Sequence, residues 1–568
     1  MDQLVLDILW SRLIATVNEQ AAALMRSSFT SIVRDAGDLS AAVFDRRGRM
    51  VAQAVTGTPG HINSMATGMT HFLQRFPLAE LKDGDVLITN DPWKTASQLN
   101  DITVVSPVFH RGRLVAFFGS CCHTQDIGGR GLSADSKSVF EEGLIIPIMK
   151  LYDAGRPNEI LFEMLRANVR TPEEAVGDLH SQVTGNKVGG RQLVRFLEEF
   201  GLEDIEALSD AITDRTEQGM RARIRDLPDG VYRYALQADG IDHPLALTVR
   251  IDVQGDRMVV DYDGSSGPSE LGINVCLNYT RAYTTYGVKC ALSPDIPNND
   301  GSFRPIEIRA PEGSILNALP PSAVCGRHLV GHYLPSLVMG ALSGVEPDNV
   351  SAPGADALWE SHIMGVDGRT GKETAFTWFA SGGTGALSDH DGMAATAFPS
   401  GVANVAAEVI ESLAPVRILE RSLRPDSGGA GRRRGGLGQV LAFEVRTSGP
   451  AHFAGMYDRV RNAAPGLDGG LPGSPGGITS DANIEIEPKR IVQLRPGTVV
   501  RLELPGGGGV GRPHERDPEL VRADVENGYV SAEAARSLYG VVLRATDRSV
   551  DLDATHTLRQ QKAAPAGR

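Results

Sequence analysis

The chain has 568 residues, 41% of them hydrophobic and 22% charged, with a formal net charge of -14. That length exceeds one hydrophobic core and predicts two or three domains of a globular protein in water. The acidic balance excludes the basic stripe of a nucleic-acid-binding surface, and no stretch is long and apolar enough to predict a membrane span.

Leu6, Leu9, Trp10, Leu13, Val17, Ala21 and Leu24 recur at helical spacing, so a long amphipathic helix is predicted at the start. It lacks a basic segment followed by a cleavage site and does not read as a secretory signal. Two strand-like runs, AAVFD and MVAQAV, bracket Arg46-Arg47-Gly48-Arg49 as a hairpin, with Asp38 just before its first arm. His61 follows the turn GTPG and precedes a helical run to Phe76. DVLIT reads as a buried strand stopped at Asn90-Asp91-Pro92, because proline cannot continue a ladder. ITVVSPVF and LVAFFGSC flank His110-Arg111-Gly112-Arg113 as a second hairpin. Asp101 opens its first arm, and His123 and Asp126 follow its second. Antiparallel pairing therefore predicts that Asp101, His123 and Asp126 converge at one sheet edge.

The pattern is helical over residues 157–224 and strand-rich over 230–264. A helix is predicted over 273–292, carrying Tyr279, Tyr283 and Tyr286, and another pattern, RHLVGHYLPSLVMGALSGV, is interrupted at Pro335. Beyond about residue 415, glycine-rich segments punctuate short strands, and the glycines are expected to supply positive φ and close backbone approach. Asp517-Pro518 starts a helix, Ser531 caps another, and residues 556–568 read as a frayed tail. The expected fold is α+β and multi-domain. A mixed or antiparallel sheet with a helical segment fills 1–225, a mixed α/β region 226–415, and a glycine-rich β lobe ending in two short helices 416–568.

The five cysteines (Cys121, Cys122, Cys276, Cys290, Cys325) show no CxxC spacing, so reduced thiols and a cytoplasmic location are expected. Adjacent Cys121 and Cys122 should point to opposite faces of a strand. No Walker A motif is present: GVDGRTGKET puts Glu373 where a Mg²⁺-binding hydroxyl should stand. The one GxGxxG match, at Gly506, Gly508 and Gly511, runs into Pro513 and His514 instead of a helix, so it lacks the dinucleotide context. What remains is an acid–imidazole set: Asp38, Asp91, Asp101, His123 and Asp126, with His61 nearby. Carboxylate and imidazole donors suit Mn²⁺ or Zn²⁺; aspartates also cap turns routinely. Spacing alone leaves both open.

The strings NDPWKTASQLNDITVVSPVF and HTQDIGG resemble the hydantoinase B/oxoprolinase family. So do VRDAGDLSAAVFD, LRANVRTPEEAVGDL, DIPNNDGSFRPIEI and DSGGAGRRRGGLGQ, all at consistent positions. The resemblance implies a B-type subunit of an ATP-dependent enzyme that opens a hydantoin, 5-oxoproline or lactam ring. It also implies a hetero-oligomer in which a hydantoinase A-type partner binds ATP. A subunit of an acetone- or acetophenone-type carboxylase and a metal-free scaffold subunit are the alternatives. The implied metal residues are Asp38, Asp101, His123 and Asp126, holding Mn²⁺ or Zn²⁺, with Asp38 and His123 catalytic. His61 and Gln98 are candidate substrate contacts. Gln98 is also a departure, standing where the family pattern GTHLPD has histidine. A carboxamide is a weak donor to a transition metal compared with imidazole. A harder-metal site, a site assembled differently with His61 or His110, or a lost site would each follow; retained binding with altered ligands is the expectation.

Overall fold

A computed structural model describes residues 2–482 and 484–563. The predicted first helix runs Gln3–Ser27, and the Asp2 carboxylate accepts the Leu4 N–H at 3.0 Å to cap it. Its buried stripe, Leu6 to Leu24, packs along the helix Pro172–Phe200. A Cβ at Gly185 would lie 2.9 Å from Leu24 Cβ, so the absence of a side chain there sets how closely the two helices approach.

This helix pair covers one face of a seven-stranded antiparallel sheet. Its strands are β1 (Leu39–Phe44), β2 (Met50–Gln53), β3 (Val86–Thr89), β4 (Asp101–His110), β5 (Arg113–His123), β6 (Met149–Asp153) and β7 (Arg156–Pro157). Their order is β2-β1-β5-β4-β3-β6-β7. The helix Pro59–Arg75 covers the other face, where Ile62, Met65, Met69 and Phe72 meet Ala42, Phe44, Phe117 and Cys121. Cys122 faces the first helix instead, so the adjacent cysteines enter different cores, as a period of two requires.

A second sheet, β8 (Gly230–Ala238), β9 (Leu245–Gln254), β10 (Arg257–Asp261) and β11 (Ile306–Arg309), has order β11-β10-β9-β8. It packs on the helix Tyr333–Leu342, which in turn meets the helix Leu277–Leu292. The latter starts four residues later than the pattern predicts. The expected break at Pro335 falls instead at His332, between His328–Gly331 and Tyr333–Leu342. Pro335 sits in the first turn of the second piece, where a missing N–H breaks no intrahelical bond.

The remaining strands are β12 (Trp359–Val366), β13 (Glu373–Ala380), β14 (Val416–Leu423), β15 (Gln439–Val445), β16 (Ala451–Met456), β17 (Gly477–Ser480), β18 (Ile491–Leu494) and β19 (Val499–Glu503). They form sheets ordered β13-β12-β16-β18 and β14-β15-β19-β17. The first of these straddles the boundary expected near residue 415, since β12 pairs with β16. Trp378, Phe443 and Phe453 interlock between the two sheets. The glycine-rich segments pack backbone on backbone: a Cβ at Gly383 would fall 1.9 Å from the Gly436 carbonyl oxygen. Close approach, more than positive φ, is what these glycines supply, for Gly506 to Gly509 have no left-handed backbone and Gly511 does. The helices Pro518–Glu526 and Ala532–Ser537 form where predicted, capped by Asp517 and Ser531. The expected frayed tail is a helix, Leu552–Ala563, while residues 564–568 lie outside the described residues. No helix among the described residues is long and apolar enough to cross a membrane.

Candidate active site

The hairpin β4–β5 pairs Asp101 directly with His123, and His123 Nδ1–H donates to Asp101 Oδ1 at 2.9 Å. Because β1 lies on the other side of β5, with Leu39 opposite Cys122, Asp38 also reaches this edge; its carbonyl accepts the His123 N–H at 3.2 Å. Three strand ends thus deliver Asp38, His123 and Asp101 side by side. His61 comes from the first turn of the helix Pro59–Arg75, placing Nε2 3.0 Å from Asp101 Oδ2 and Nδ1 3.6 Å from Asp38 Oδ1. Asp38 Oδ1 accepts the Thr58 hydroxyl at 3.0 Å.

Two expected members are elsewhere. Asp126 turns away: Oδ1 accepts from Gly128 N at 2.9 Å and Arg170 Nη1 at 2.8 Å, and Oδ2 accepts the Arg170 backbone N–H. Positive φ at Gly128 and Gly129 reverses the chain there and aims the carboxylate at Arg170. Asp91 caps its own turn through Trp93 N and pairs with Lys94. His110 ends β4, nine residues from Asp101 and so about 30 Å along the strand.

Tertiary packing adds residues the sequence reading did not single out. Arg327 Nη1–H and Nη2–H donate to Gln98 Oε1 and Asp101 Oδ2, Nε–H donates to Ala96 O at 2.8 Å, and the guanidinium stacks 4.5 Å from the Tyr279 ring. From the third sheet, Glu360 on β12 approaches His123 Nε2 at 3.9 Å and His328 Nε2 at 3.8 Å. His332 Nε2 bonds the Tyr283 hydroxyl at 3.0 Å. The available signal was RHLVGH, three basic residues inside an apolar run, and an acid inside the strand WESHIM.

Asp38, His61, Gln98, His123, Arg327 and Glu360 are among the residues that line a cavity of about 30 Å³. Six buried polar atoms on its lining residues have no hydrogen-bond partner among the described residues: His61 Nδ1, Gln98 Nε2, His123 Nε2, His328 Nε2, Glu360 Oε1 and Ser400 Oγ. Buried polar atoms are rarely left unpaired, so the concentration marks a place where water or a ligand belongs. Burial alone would raise the Asp101 pKa, but Arg327, His61 and His123 outweigh it and hold the carboxyl well below its usual range. Burial would depress His123, yet its bond to Asp101 and the nearby carboxylates raise it. Burial pushes Glu360 up to about 7 against the pull of His123. Burial and then Arg327 push His328 down to about 3, leaving a neutral imidazole. The site therefore joins a fixed cation, a fixed anion, an imidazole whose pKa is raised and a carboxyl that titrates near 7.

Residues 2–513 match the family model described as hydantoinase B/oxoprolinase. The chain belongs to this family. Caprolactamase subunit beta of Pseudomonas jessenii is 30% identical over 98% of this chain and 99% of its own. The crystal structure of ATP-dependent caprolactamase from that organism matches with a TM-score of 0.88 at 28% identity, covering 99% of this chain and 100% of the other. A 5-oxoprolinase of Pestalotiopsis fici is 29% identical over 93% of this chain, which spans 43% of that protein's length. A nucleotide-free acetone carboxylase structure shares the fold, with a TM-score of 0.87 at 21% identity over 99% of this chain and 83% of that one.

The donor set of this hydantoinase B member does not fit the divalent metal that the sequence resemblance implies. Both Asp101 oxygens are engaged, Oδ1 by His123 and Oδ2 by His61 and Arg327, and the Gln98 oxygen is taken by Arg327. Among the described residues no three His, Cys, Asp or Glu side chains form a group able to hold a metal ion.

Proposed function

We propose that this chain is the B-type subunit of an ATP-dependent enzyme that opens a cyclic amide (a hydantoin, 5-oxoproline or a lactam), working with a hydantoinase A-type subunit that handles ATP. The observation that carries this reading is the convergence of six unpaired, buried polar atoms on one cavity, in a chain 30% identical to a caprolactamase subunit. Phosphorylating the amide oxygen in the partner converts a poor electrophile into an activated imidate, which water can attack. Asp101 orients His123 so that Nε2 opens to the cavity, where it takes the proton of the attacking water. Asp38, beside both histidines, balances the charge that forms on them. The ring nitrogen needs a proton when the C–N bond breaks, and Glu360 stands 3.9 Å from His123 to return one. The acyl phosphate left by that cleavage is hydrolysed by a second water, releasing inorganic phosphate and the ring-opened acid. A cavity of about 30 Å³ admits water and not a whole ring, so a bound ring needs the lining to move apart. Ser400 and Val402, in a segment without regular secondary structure, belong to that lining.

The test uses the chain co-expressed with its partner and a panel of lactams, hydantoins and 5-oxoproline, following ATP consumption and ring opening. His123→Ala and Asp38→Ala are each expected to lower turnover by about 10²-fold or more while the complex still assembles. Full activity in either variant overturns the site. ATP turnover that requires bicarbonate and a ketone would assign the chain to the carboxylases instead.

A further inference from the structure

We infer that Arg327 is the resident cation of this site, taking the place of a divalent ion and presenting N–H donors to a carbonyl oxygen or oxyanion in the cavity. The guanidinium is held by three hydrogen bonds and one aromatic face. Its three nitrogens bond Ala96 O, Gln98 Oε1 and Asp101 Oδ2, and its face lies on Tyr279. The backbone just ahead of it is pinned as well, since Glu142 Oε1 accepts the Val324 and Cys325 N–H groups at 2.7 and 2.8 Å. Such a side chain does not swing aside to admit an ion.

Gln98 and Arg327 explain each other. A carboxamide oxygen accepts from a guanidinium, which a metal-binding imidazole in its place could not do while also coordinating. An ion bridging Asp38, Asp101 and His123 would share the Asp101 carboxylate with Arg327, setting like charges against one carboxylate in a buried site. Three of the five guanidinium N–H bonds are taken by these partners, which leaves two on a residue that lines the cavity. A buried guanidinium with spare N–H bonds suits the oxygen of an amide or carboxylate, and the charge that grows on it during attack. The identity of that oxygen rests on the ring-opening reading. The assignment of the charge does not.

The experiment is metal analysis of the co-expressed complex, incubated with Zn²⁺ or Mn²⁺ and desalted. Wild type, His123→Ala and Asp38→Ala are expected to retain the same metal content, because none holds an ion at this edge. A wild type carrying about one equivalent more than both variants would overturn the inference. The double variant Gln98→His/Arg327→Met removes the guanidinium and restores an imidazole. It is expected to gain about one equivalent over wild type; a folded double variant that gains none would also overturn it. The wild-type comparison stands even if that variant fails to fold, and neither readout depends on turnover, so failure of the ring-opening reading is separately visible.

Discussion

Replacing Glu142 by glutamine should make the protein less sensitive to rising pH. Glu142 ends a short helix and is buried, with Oε1 bonded to Val324 N and Cys325 N and Oε2 without a partner among the described residues. Burial drives its pKa from 4.5 up to about 8, against the two backbone N–H groups and Arg327. Between those values the folded chain keeps a proton that the unfolded chain has lost, so stability falls as pH rises from about 4.5 through about 8. At 1.36 kcal/mol per unit, the loss is on the order of 3–5 kcal/mol. Glutamine keeps an oxygen for the two N–H groups and cannot titrate. Urea unfolding of wild type and Glu142→Gln, side by side from about pH 5 to 9, should show similar stability at the acid end and a growing advantage for the variant towards pH 9. Parallel pH profiles would refute the buried, protonated carboxyl.

Gly60 lets the helix bearing His61 rest on two tyrosines, because a Cβ there would lie 2.5 Å from Tyr279 Cε2 and 2.8 Å from Tyr283 Cε2. Gly60→Ala should cost about 1–3 kcal/mol and lower turnover; a variant as stable and active as wild type would contradict that contact. Asp126→Asn should lose about 1–3 kcal/mol of stability with turnover little changed, whereas inactivation without destabilisation would bring Asp126 into the chemistry. Glu360→Gln should slow ring opening by about 10²-fold and erase a limb of the pH–rate profile near the pKa of about 7; an unchanged profile would remove Glu360 from proton transfer.

What the sequence by itself determined is local. The hairpin closes at Arg111-Gly112, both with positive φ, and a one-residue register shift between Val108 and Phe109 completes the pairing that puts Asp101 opposite His123. Strand alternation divides Cys121 from Cys122, and Asp517 and Ser531 cap their helices as read. Each depends on neighbours a few residues apart or on the arms of a single hairpin. β12 escaped notice because Glu360 and His362 interrupt its apolar run, and a buried strand with polar residues has no periodic signature. Only the tertiary structure decided what surrounds the Asp101–His123 pair. Arg327 reaches Asp101 across 226 residues of chain, and Glu360 arrives from a different sheet. Gln98 stands out in the sequence as a change of chemistry, but its compensation does not. Burial makes an uncompensated charge so unfavourable that the fold supplies a partner from wherever packing allows, and sequence spacing carries no record of where that is.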